Sequence, residues 1–271
     1  MTTSCIDNEK THSVHDCNHC SVRSHCLAAG VDGEHFDEFE ASRFDLRVLR
    51  KGHHLFRAGE PFGALFIVRS GAVKTAVVSQ DGEEQVTGFY LPGEIFGLDG
   101  IDSGEYSSNA IALETCSVCL YSFDKLISLA QKSARLQRQL WQQASREIGT
   151  RQKMLMTMGH RSAEARMAEF LLGLASRFKA IGYSATNFHL PMSRQDIADY
   201  LGMSVETVCR VLTRFQKQGR IQRAQREIKL VNVEALLALS MSASDLPDPL
   251  PLGTRQTASS QRSNSYAAVG R

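Results

Sequence analysis

Closely spaced glycines divide residues 43–123 into short apolar segments. Two of these segments are "ALFIVRSG", residues 64–71, and "AVKTAVVS", residues 72–79. Asp81-Gly82 follows the second segment and is a typical hairpin turn. Many short strands joined by glycine-rich turns predict a roll, barrel or sandwich. The glycines fall at positions 52, 59, 63, 71, 82, 88, 93, 97, 100 and 104.

The pattern becomes helical over residues 124–158, where apolar residues recur at steps of three, four or seven. A helix of about 35 residues is roughly 52 Å long. An apolar stripe of that length predicts pairing with a second copy of the chain, and the alternative is a helix that packs on its own domain. The predicted interface residues in the stripe are Leu136, Leu140, Ala144, Ile148 and Leu155.

Residues 192–221, "MSRQDIADYLGMSVETVCRVLTRFQKQGRI", predict two helices around a tight Gly-Met-Ser turn. Ser193 and Ser204 are the predicted N-caps, and Gly219 is the predicted end of the second helix. The sequence that follows predicts a short hairpin. A helix, a tight turn and a second helix form the arrangement that places the second helix in the major groove of DNA.

A basic patch accompanies this motif. Seven Lys or Arg residues lie between Ser204 and Lys229, opposed only by Glu206 and Glu227, although the whole chain has a net charge of only +2. Glu206 and Arg210 are four residues apart, so they share one helix face. Arg can bond guanine and Glu can accept from the cytosine amino group, so the pair can read one G·C pair. The alternative is a salt bridge on a solvated face.

The stretch "DIADYLGMSVETVCRVLTRFQKQG" resembles the winged helix-turn-helix of the CRP/FNR superfamily of bacterial transcription regulators. The order of parts is also similar, over roughly residues 15–240. The resemblance implies an α+β fold with an N-terminal β-roll (a cyclic-nucleotide-binding-like jelly roll), a long dimerisation helix and a C-terminal winged helix-turn-helix. The predicted divisions are a cysteine-rich cluster-binding segment (1–30), the β-roll sensor domain (31–123), the dimerisation helix (124–158), the DNA-binding domain (159–240) and a disordered tail rich in Pro and Ser (241–271).

The stretch "CNHCSVRSHC", residues 17–26, holds three cysteines. The N-terminus has no apolar region typical of a secretory signal, which predicts a cytoplasmic protein. Disulfides are rare there, so clustered cysteines indicate metal or redox chemistry, and Cys-x2-Cys is a chelating pair in both zinc and iron–sulfur sites. The spacing resembles the FNR branch, whose members sense oxygen with a [4Fe–4S] cluster on four cysteines. That resemblance implies the ligands Cys17, Cys20, Cys26 and Cys119.

Cys116 is the other thiol near the fourth ligand. It precedes Cys119 by three residues, so on a strand it points to the opposite face. Zinc is the alternative to the cluster, because His19 and His25 alternate with the thiols and Cys/His zinc sites are common. Zinc would act as a structural staple that does not respond to oxygen.

Other functions are disfavoured. Cys-x2-Cys in a thiol oxidoreductase opens a helix of a βαβ unit, and the sequence predicts no such unit here. Leu98 stands where cyclic-nucleotide-binding members carry a Glu, and no Lys, Arg or His occurs between Lys74 and Lys125 to meet a phosphate. We therefore expect neither cyclic-nucleotide binding nor an enzyme. No apolar run approaches the ~18 residues of a membrane span, so we expect no membrane partner.

The resemblance implies an oxygen-responsive regulator that binds a TTGAT-type inverted repeat of double-stranded DNA as an anaerobic homodimer and acts on RNA polymerase. The implied base-reading residues are Glu206, Cys209 and Arg210, with Cys209 in place of the family's Ser. Arg151 lies at the dimer interface, near where the family usually carries an Asp; it either repels its copy across the dimer or pairs with Glu147. The implied DNA-backbone contacts are Ser193, Ser204, Thr207, Arg214, Lys217 and Arg223.

Overall fold

The computed structural model describes residues 17–241, without the side chains of residues 156–160. The expected disordered tail lies outside the described residues, apart from residue 241, and so does the start of the predicted cluster-binding segment. In the part of the chain that the structure describes, no helix combines the length and apolar character needed to cross a membrane.

The glycine-rich region forms a β-roll of two antiparallel four-stranded sheets, with strand orders β1-β8-β3-β6 and β2-β7-β4-β5. The aromatic rings of Phe56, Phe66, Phe96 and Tyr106 stack inside the roll. The expected α+β class and β-roll are confirmed. The strands are β1 (Arg43–Leu49), β2 (His54–Phe56), β3 (Ala64–Ser70), β4 (Val73–Val78), β5 (Glu84–Tyr90), β6 (Ile95–Phe96), β7 (Asn109–Ala112) and β8 (Cys116–Ser122).

The predicted hairpin at Asp81-Gly82 joins β4 to β5, with Val78 opposite Glu84. Gly82 has a φ of 82°, in the left-handed region that glycine adopts most easily. Gly71 turns the chain from β3 to β4 with a φ of 75°, and a Cβ there would lie 2.6 Å from the Thr115 carbonyl oxygen. Only glycine allows both this conformation and this close approach.

The cysteine segment, residues 17–31, contributes to the core. It consists of short 3-10 turns, and α1 (Phe36–Ser42) connects it to β1. Leu27 and Ala28 are buried together with Phe39 and Leu65. The few apolar side chains of the segment therefore cover one outer face of the roll.

The prediction of one continuous helix over residues 124–158 is wrong. The chain forms α2 (Phe123–Lys132) and α3 (Ala134–His160), which are separated at Ser133. Ser133 is extended, with φ −116° and ψ 99°, and its hydroxyl accepts a hydrogen bond from the Leu136 amide at 3.3 Å. The serine thus caps a new helix where the apolar spacing alone suggested continuity.

The C-terminal domain is a winged helix-turn-helix, as expected. The Gly-Met-Ser turn lies between two of its helices, and Gly219 follows the second of them with a φ of 67°. The hairpin is extended to three strands, in the order β10-β11-β9, by a strand that the sequence did not predict. The elements are α4 (Ala163–Ala180), β9 (Asn187–His189), α5 (Arg194–Leu201), α6 (Val205–Lys217), β10 (Ile221–Ala224), β11 (Glu227–Leu230) and α7 (Val233–Ser240).

The roll and the DNA-binding domain share one apolar core. Phe89 of β5 lies 5.0 Å from the ring of Tyr200 on α5, measured between centroids. Lys74 of β4 donates to Asp196 of α5 at 2.7 Å and also pairs with Glu84 of β5. These contacts join the two domains through the β4–β5 hairpin.

A second ion pair lies on the same side of the roll. Arg177 of α4 donates to the Glu94 carboxylate at 2.7 Å, and its guanidinium also contacts the Phe89 carbonyl oxygen. Two ion pairs and a continuous apolar surface therefore fix the position of the DNA-binding domain on the roll.

Candidate functional site

Four thiols from two distant parts of the chain line one enclosed cavity. Cys17, Cys20 and Cys26 come from the cysteine segment, and Cys119 comes from the middle of β8. Cys116 lies on the same strand but is buried inside the roll with the other inward-facing side chains. The alternation of side chains along a strand explains why the two cysteines of β8 face opposite ways.

Arg43 and Tyr121 also line this thiol cavity, and no local sequence pattern predicts either of them there. The Cys17 Sγ lies 3.7 Å from the Tyr121 hydroxyl. Burial raises the pKa of Cys26 to about 12. Burial also raises the pKa of Cys119, although the Arg43 cation opposes this shift. Binding of a metal group to these thiolates would therefore release protons, and Arg43 would offset part of their negative charge.

The donor set of the cavity consists of sulfur. His19 and His25 are exposed and do not line it. Among residues 17–241, no group of three or more His, Cys, Asp or Glu side chains is placed to hold one metal ion. The free volume between the thiols is about 10 Å³, room for about one water molecule. The thiols match the ligand chemistry of an iron–sulfur cluster, and they would have to move outward to hold one.

The cysteine segment rests on the beginning of α3. Gln139 donates to the Cys26 carbonyl oxygen at 3.2 Å, and Arg135 donates to the Ala29 carbonyl oxygen at 3.1 Å. Gly30 approaches Gln139 so closely that a Cβ at this position would collide with its side chain. The cysteine segment is therefore in direct contact with α3 around Cys26.

The apolar residues of α3 lie on two faces. Leu136 is fully buried in its own protomer and Leu140 packs on the same core, so the prediction that Leu136 contacts a second copy is wrong. Trp141, Ile148 and Leu155 are 70%, 58% and 71% exposed. They recur every seven residues, which keeps successive side chains within about 20° of one line.

We call Trp141, Ile148 and Leu155 the outer face of α3. The sequence prediction included Ile148 and Leu155 and missed Trp141, whose seven-residue spacing could have revealed it. Ala144, also predicted at the interface, is half-buried beside this face. The prediction mixed the two faces because steps of three or four also connect residues on opposite edges of a wide apolar stripe.

Arg151 pairs with Glu147 one helical turn earlier, at 3.1 Å. The same carboxylate accepts a hydrogen bond from the Tyr90 hydroxyl at 3.0 Å. Arg151 was expected either to repel its copy in a dimer or to pair with Glu147, and the structure of the single chain contains the pairing. This pairing offsets the positive charge of Arg151 within its own chain.

The helix-turn-helix begins with a capping box. The Ser193 hydroxyl accepts from the Asp196 amide at 3.0 Å, and the Asp196 carboxylate accepts from the Ser193 amide at 2.7 Å. Burial alone would raise the pKa of Asp196, but hydrogen bonds from Lys74 and Ser193 lower it overall. Gly202, with a φ of 60°, ends α5. Arg166 donates to the Leu201 carbonyl oxygen at 2.8 Å and so supports the turn.

The second helix, α6, begins at the predicted cap, where the Ser204 hydroxyl accepts from the Thr207 amide at 3.2 Å. Its buried face consists of Val208, Val211, Leu212 and Phe215. Glu206, Cys209 and Arg210 are exposed on the remaining surface. Arg210 and Glu206 approach to 3.8 Å, and Arg210 also donates to the Thr207 hydroxyl at 3.2 Å.

The predicted phosphate-binding residues differ in how strongly the protein already holds them. Lys217 is exposed at the end of α6. Arg214 is ion-paired with Glu164 of α4. Arg223 of β10 donates to Gln216 at 2.8 Å and to the Thr213 hydroxyl at 3.0 Å, so it holds the wing against α6.

Two family models match the chain. Residues 165–239 match the Crp-like helix-turn-helix domain, and residues 46–133 match the Cyclic nucleotide-binding domain. The solved structure of FixK2 from Bradyrhizobium japonicum is similar with a TM-score of 0.67 and 32% sequence identity, and the match covers 73% of this chain and 98% of that one. The fold of both domains is thus shared with proteins of known structure.

Curated relatives extend over most of the chain. The transcriptional activator protein anr of Pseudomonas aeruginosa is 44% identical over 224 residues, which is 83% of this chain and 92% of that protein. The fumarate and nitrate reduction regulatory protein of Salmonella typhi is 37% identical over 224 residues, which is 83% of this chain and 90% of that protein.

Proposed function

Because this chain belongs to the FNR branch of the CRP/FNR superfamily of bacterial transcription regulators, we propose that it is an oxygen-responsive regulator that holds a [4Fe–4S] cluster. The family membership makes it a DNA-binding regulator of transcription. The observation that carries the finer proposal is the convergence of four thiols, from two chain regions, on one cavity beside α3.

The proposed ligands are Cys17, Cys20, Cys26 and Cys119. A bound cluster would supply an oxygen-labile connection between the cysteine segment and β8. The protein's own part is to bring the thiols together, to bury Cys17, Cys26 and Cys119, and to place Arg43 beside them. An uncompensated set of buried thiolates would be costly, so a nearby cation favours the loaded site.

The connection to DNA binding passes through α3. Gln139 and Arg135 attach the cysteine segment to the first turns of this helix, and the outer face begins at Trp141. We propose that two copies pair along this face, which sets two α6 helices one DNA turn apart. Loss of the cluster would release the segment, loosen the start of α3 and weaken the pair.

The proposed DNA target is a TTGAT-type inverted repeat. Glu206 and Arg210 are exposed on one face of α6 and close enough to act on the same base pair. Cys209 lies exposed beside them. Lys217, the wing and the helix N-termini at Ser193 and Ser204 would contact phosphates. The bound dimer would then act on RNA polymerase.

Zinc remains the second candidate for the thiol cavity, because four thiolates also form zinc sites. The exposed positions of His19 and His25 disfavour the mixed Cys/His version. A cyclic nucleotide is disfavoured on separate grounds. Aromatic side chains fill the interior of the roll, and Lys74 is engaged with Glu84 and Asp196.

The thiol assignment is tested by purifying the protein without oxygen and measuring iron, sulfide, zinc and visible absorbance. We expect a brown protein with about four irons per chain. Cys119→Ser should lose the iron, while Cys116→Ser, a matched change on the same strand, should keep it. Iron in Cys119→Ser but not in Cys116→Ser would show that Cys116 is the fourth ligand. A colourless protein that contains zinc would show that the thiols form a structural zinc site and hold no cluster.

The DNA assignment is tested by competition binding with every base of the half-site substituted. Arg210→Ala should cost about 1–3 kcal/mol on a half-site that contains the central G and should relax specificity there. Arg223→Ala should weaken binding to all sequences alike and reduce the salt slope by about one unit. An equal loss on every sequence for Arg210→Ala would mean that Arg210 contacts phosphate.

A further inference from the structure

A second cavity lies between the β-roll and the DNA-binding domain, and it shares no lining residue with the thiol cavity. Its volume is about 370 Å³, within the usual range of small-molecule sites. Leu91, Pro92 and Glu114 line it from the roll, and Tyr183, Phe188 and Glu227 line it from the DNA-binding domain. We call it the interdomain pocket.

Three aromatic side chains form part of the wall of the interdomain pocket. Phe178 and Phe188 stack with ring centroids 5.2 Å apart, and Tyr183 lies 6.3 Å from Phe178. Pro92 and Pro191 add rigid apolar surface. Faces of aromatic rings attract cations and bury apolar groups equally well. Such walls suit a small molecule with an apolar body and a positive charge.

Two carboxylates and one imidazole, that of His189, line the pocket. Glu114 and Glu227 both line it, and neither Lys nor Arg does so among the described residues. The Glu227 carboxylate lies 3.0 Å from the His189 Nδ1 and accepts a hydrogen bond from that nitrogen when it carries a proton. Glu114 is half-buried and has no ion pair or hydrogen bond within residues 17–241. A half-buried carboxylate without a partner favours a cationic ligand and repels an anionic one.

We propose that the interdomain pocket binds a small organic cation, an amine or guanidinium attached to an apolar body. The positive group would pair with Glu114, and the apolar body would lie on Phe188 and Tyr183. Because the walls come from both domains, an occupant would stabilise their observed arrangement by binding only to it. This site is independent of the thiol cavity and goes beyond the proposed oxygen response.

Calorimetric titration of the full chain with phenethylamine tests the proposal. We expect saturable binding, and binding of the uncharged 2-phenylethanol and of the anionic phenylacetate at least about tenfold weaker. Absence of saturable binding by the amine, or equal binding by the alcohol, would overturn the proposal. Metal-free and metal-loaded protein should bind phenethylamine with the same affinity. Failure of the amine to bind would therefore not affect the cluster proposal, and absence of a cluster would not affect the proposal for this pocket.

Variants locate the bound cation. Glu114→Gln should weaken phenethylamine at least about tenfold, because it removes the unpaired carboxylate without changing shape. Glu83→Gln removes the same charge from the exposed β4–β5 turn and should change nothing. Glu227→Gln, on the opposite wall, should also weaken binding and serves as a second test if Glu114→Gln unfolds. Equal affinity in all three variants would place the amine elsewhere and contradict the proposal.

Discussion

Two sides of the β-roll carry attachments of opposite kinds. On one side, the DNA-binding domain is held by a continuous apolar core and by the ion pairs of Lys74 and Arg177. On the other side, the cysteine segment is a set of short turns whose thiols gather around a small cavity. The first side needs no cofactor to stay in place. The second side has fewer buried apolar contacts, and a cofactor bound to its thiols, as we propose, would strengthen the attachment.

The difference assigns roles to the two sides. A permanent attachment suits the DNA-binding domain, since α6 must keep a fixed position for two copies to meet DNA together. A conditional attachment suits a sensor, because a switch requires an element with two states that differ by a few kcal/mol. The start of α3 connects the two sides through its contacts with the cysteine segment.

The largest expected effect is on the outer face of α3. Ile148→Asp would bury a carboxylate against its copy in the dimer, and an unpaired buried charge costs several kcal/mol, so we expect at least ~100-fold weaker dimerisation. Sedimentation of the anaerobic protein measures it. Ile127→Asp makes the same change at an exposed position on α2 and serves as the control. Unchanged dimerisation of Ile148→Asp would show that two copies do not pair along the outer face of α3.

The contact between the β-roll and the DNA-binding domain is disrupted most directly by a substitution at Lys74. Lys74→Met leaves Asp196 and Glu84 without their cation, and we expect a loss of about 3 kcal/mol in the free energy of unfolding. Chemical denaturation measures the loss, and Lys179→Met, which changes an exposed lysine of α4, should leave stability unchanged. Iron content should stay the same in both variants. Lost iron in folded Lys74→Met would mean that the two sides are not separate.

Acid should weaken the contact between Lys74 and Asp196. The pKa of Asp196 is below its ordinary value in the folded protein, so its stabilisation is complete above that ordinary value and is lost as pH falls through the folded pKa. Asp196→Asn should therefore flatten the acid limb of the stability profile below about pH 4. An unchanged profile would mean that this carboxylate does not contribute to the interdomain contact.

The link between the two sides is tested at Gln139. Gln139→Ala removes the hydrogen bond to the Cys26 carbonyl oxygen, worth about 1 kcal/mol. We expect anaerobic dimerisation to weaken by roughly five-fold, and the metal-free protein to be unaffected. Gln142→Ala, three residues along and exposed, is the matched control. Equal effects with and without the cluster would show that Gln139 supports the dimer without transmitting the state of the thiols.

The smallest expected effect is at Arg151. Its pairing with Glu147 offsets its charge, so Arg151→Gln should change dimerisation of the metal-free protein by no more than about three-fold, as expected for an exposed pair. Sedimentation at two salt concentrations measures this. A dimer that tightens tenfold or more in the variant would show that Arg151 repels its copy across the interface.

The sequence predicted the parts whose signals are local. Glycine-bounded apolar runs predicted the roll, and the serine caps and the glycine turn predicted the helix-turn-helix, because caps and turns depend on a few neighbouring residues. It did not predict the break at Ser133, the burial of Leu136 or the ion pair of Lys74 with Asp196. Each of these depends on what packs against the residue, and for Lys74 the partner is 122 positions away along the chain.

The thiol site was predicted in part. The Cys-x2-Cys spacing marked the segment, and strand alternation separated Cys119 from Cys116. Arg43 and Tyr121 reach the cavity from β1 and β8 through strand pairing, which places Arg43 opposite Tyr121. Nothing in their local sequence marks them as neighbours of the thiols, so this pairing had to be seen in the fold.

We propose that the state of the thiol cavity controls DNA binding through α3. The most direct measurement is the binding of one anaerobic sample to an inverted TTGAT repeat, before and after exposure to air, with the visible absorbance followed in the same cell. We expect DNA binding and absorbance to fall together, with a shift of the protein toward monomer. Undiminished DNA binding after the absorbance has bleached would contradict it.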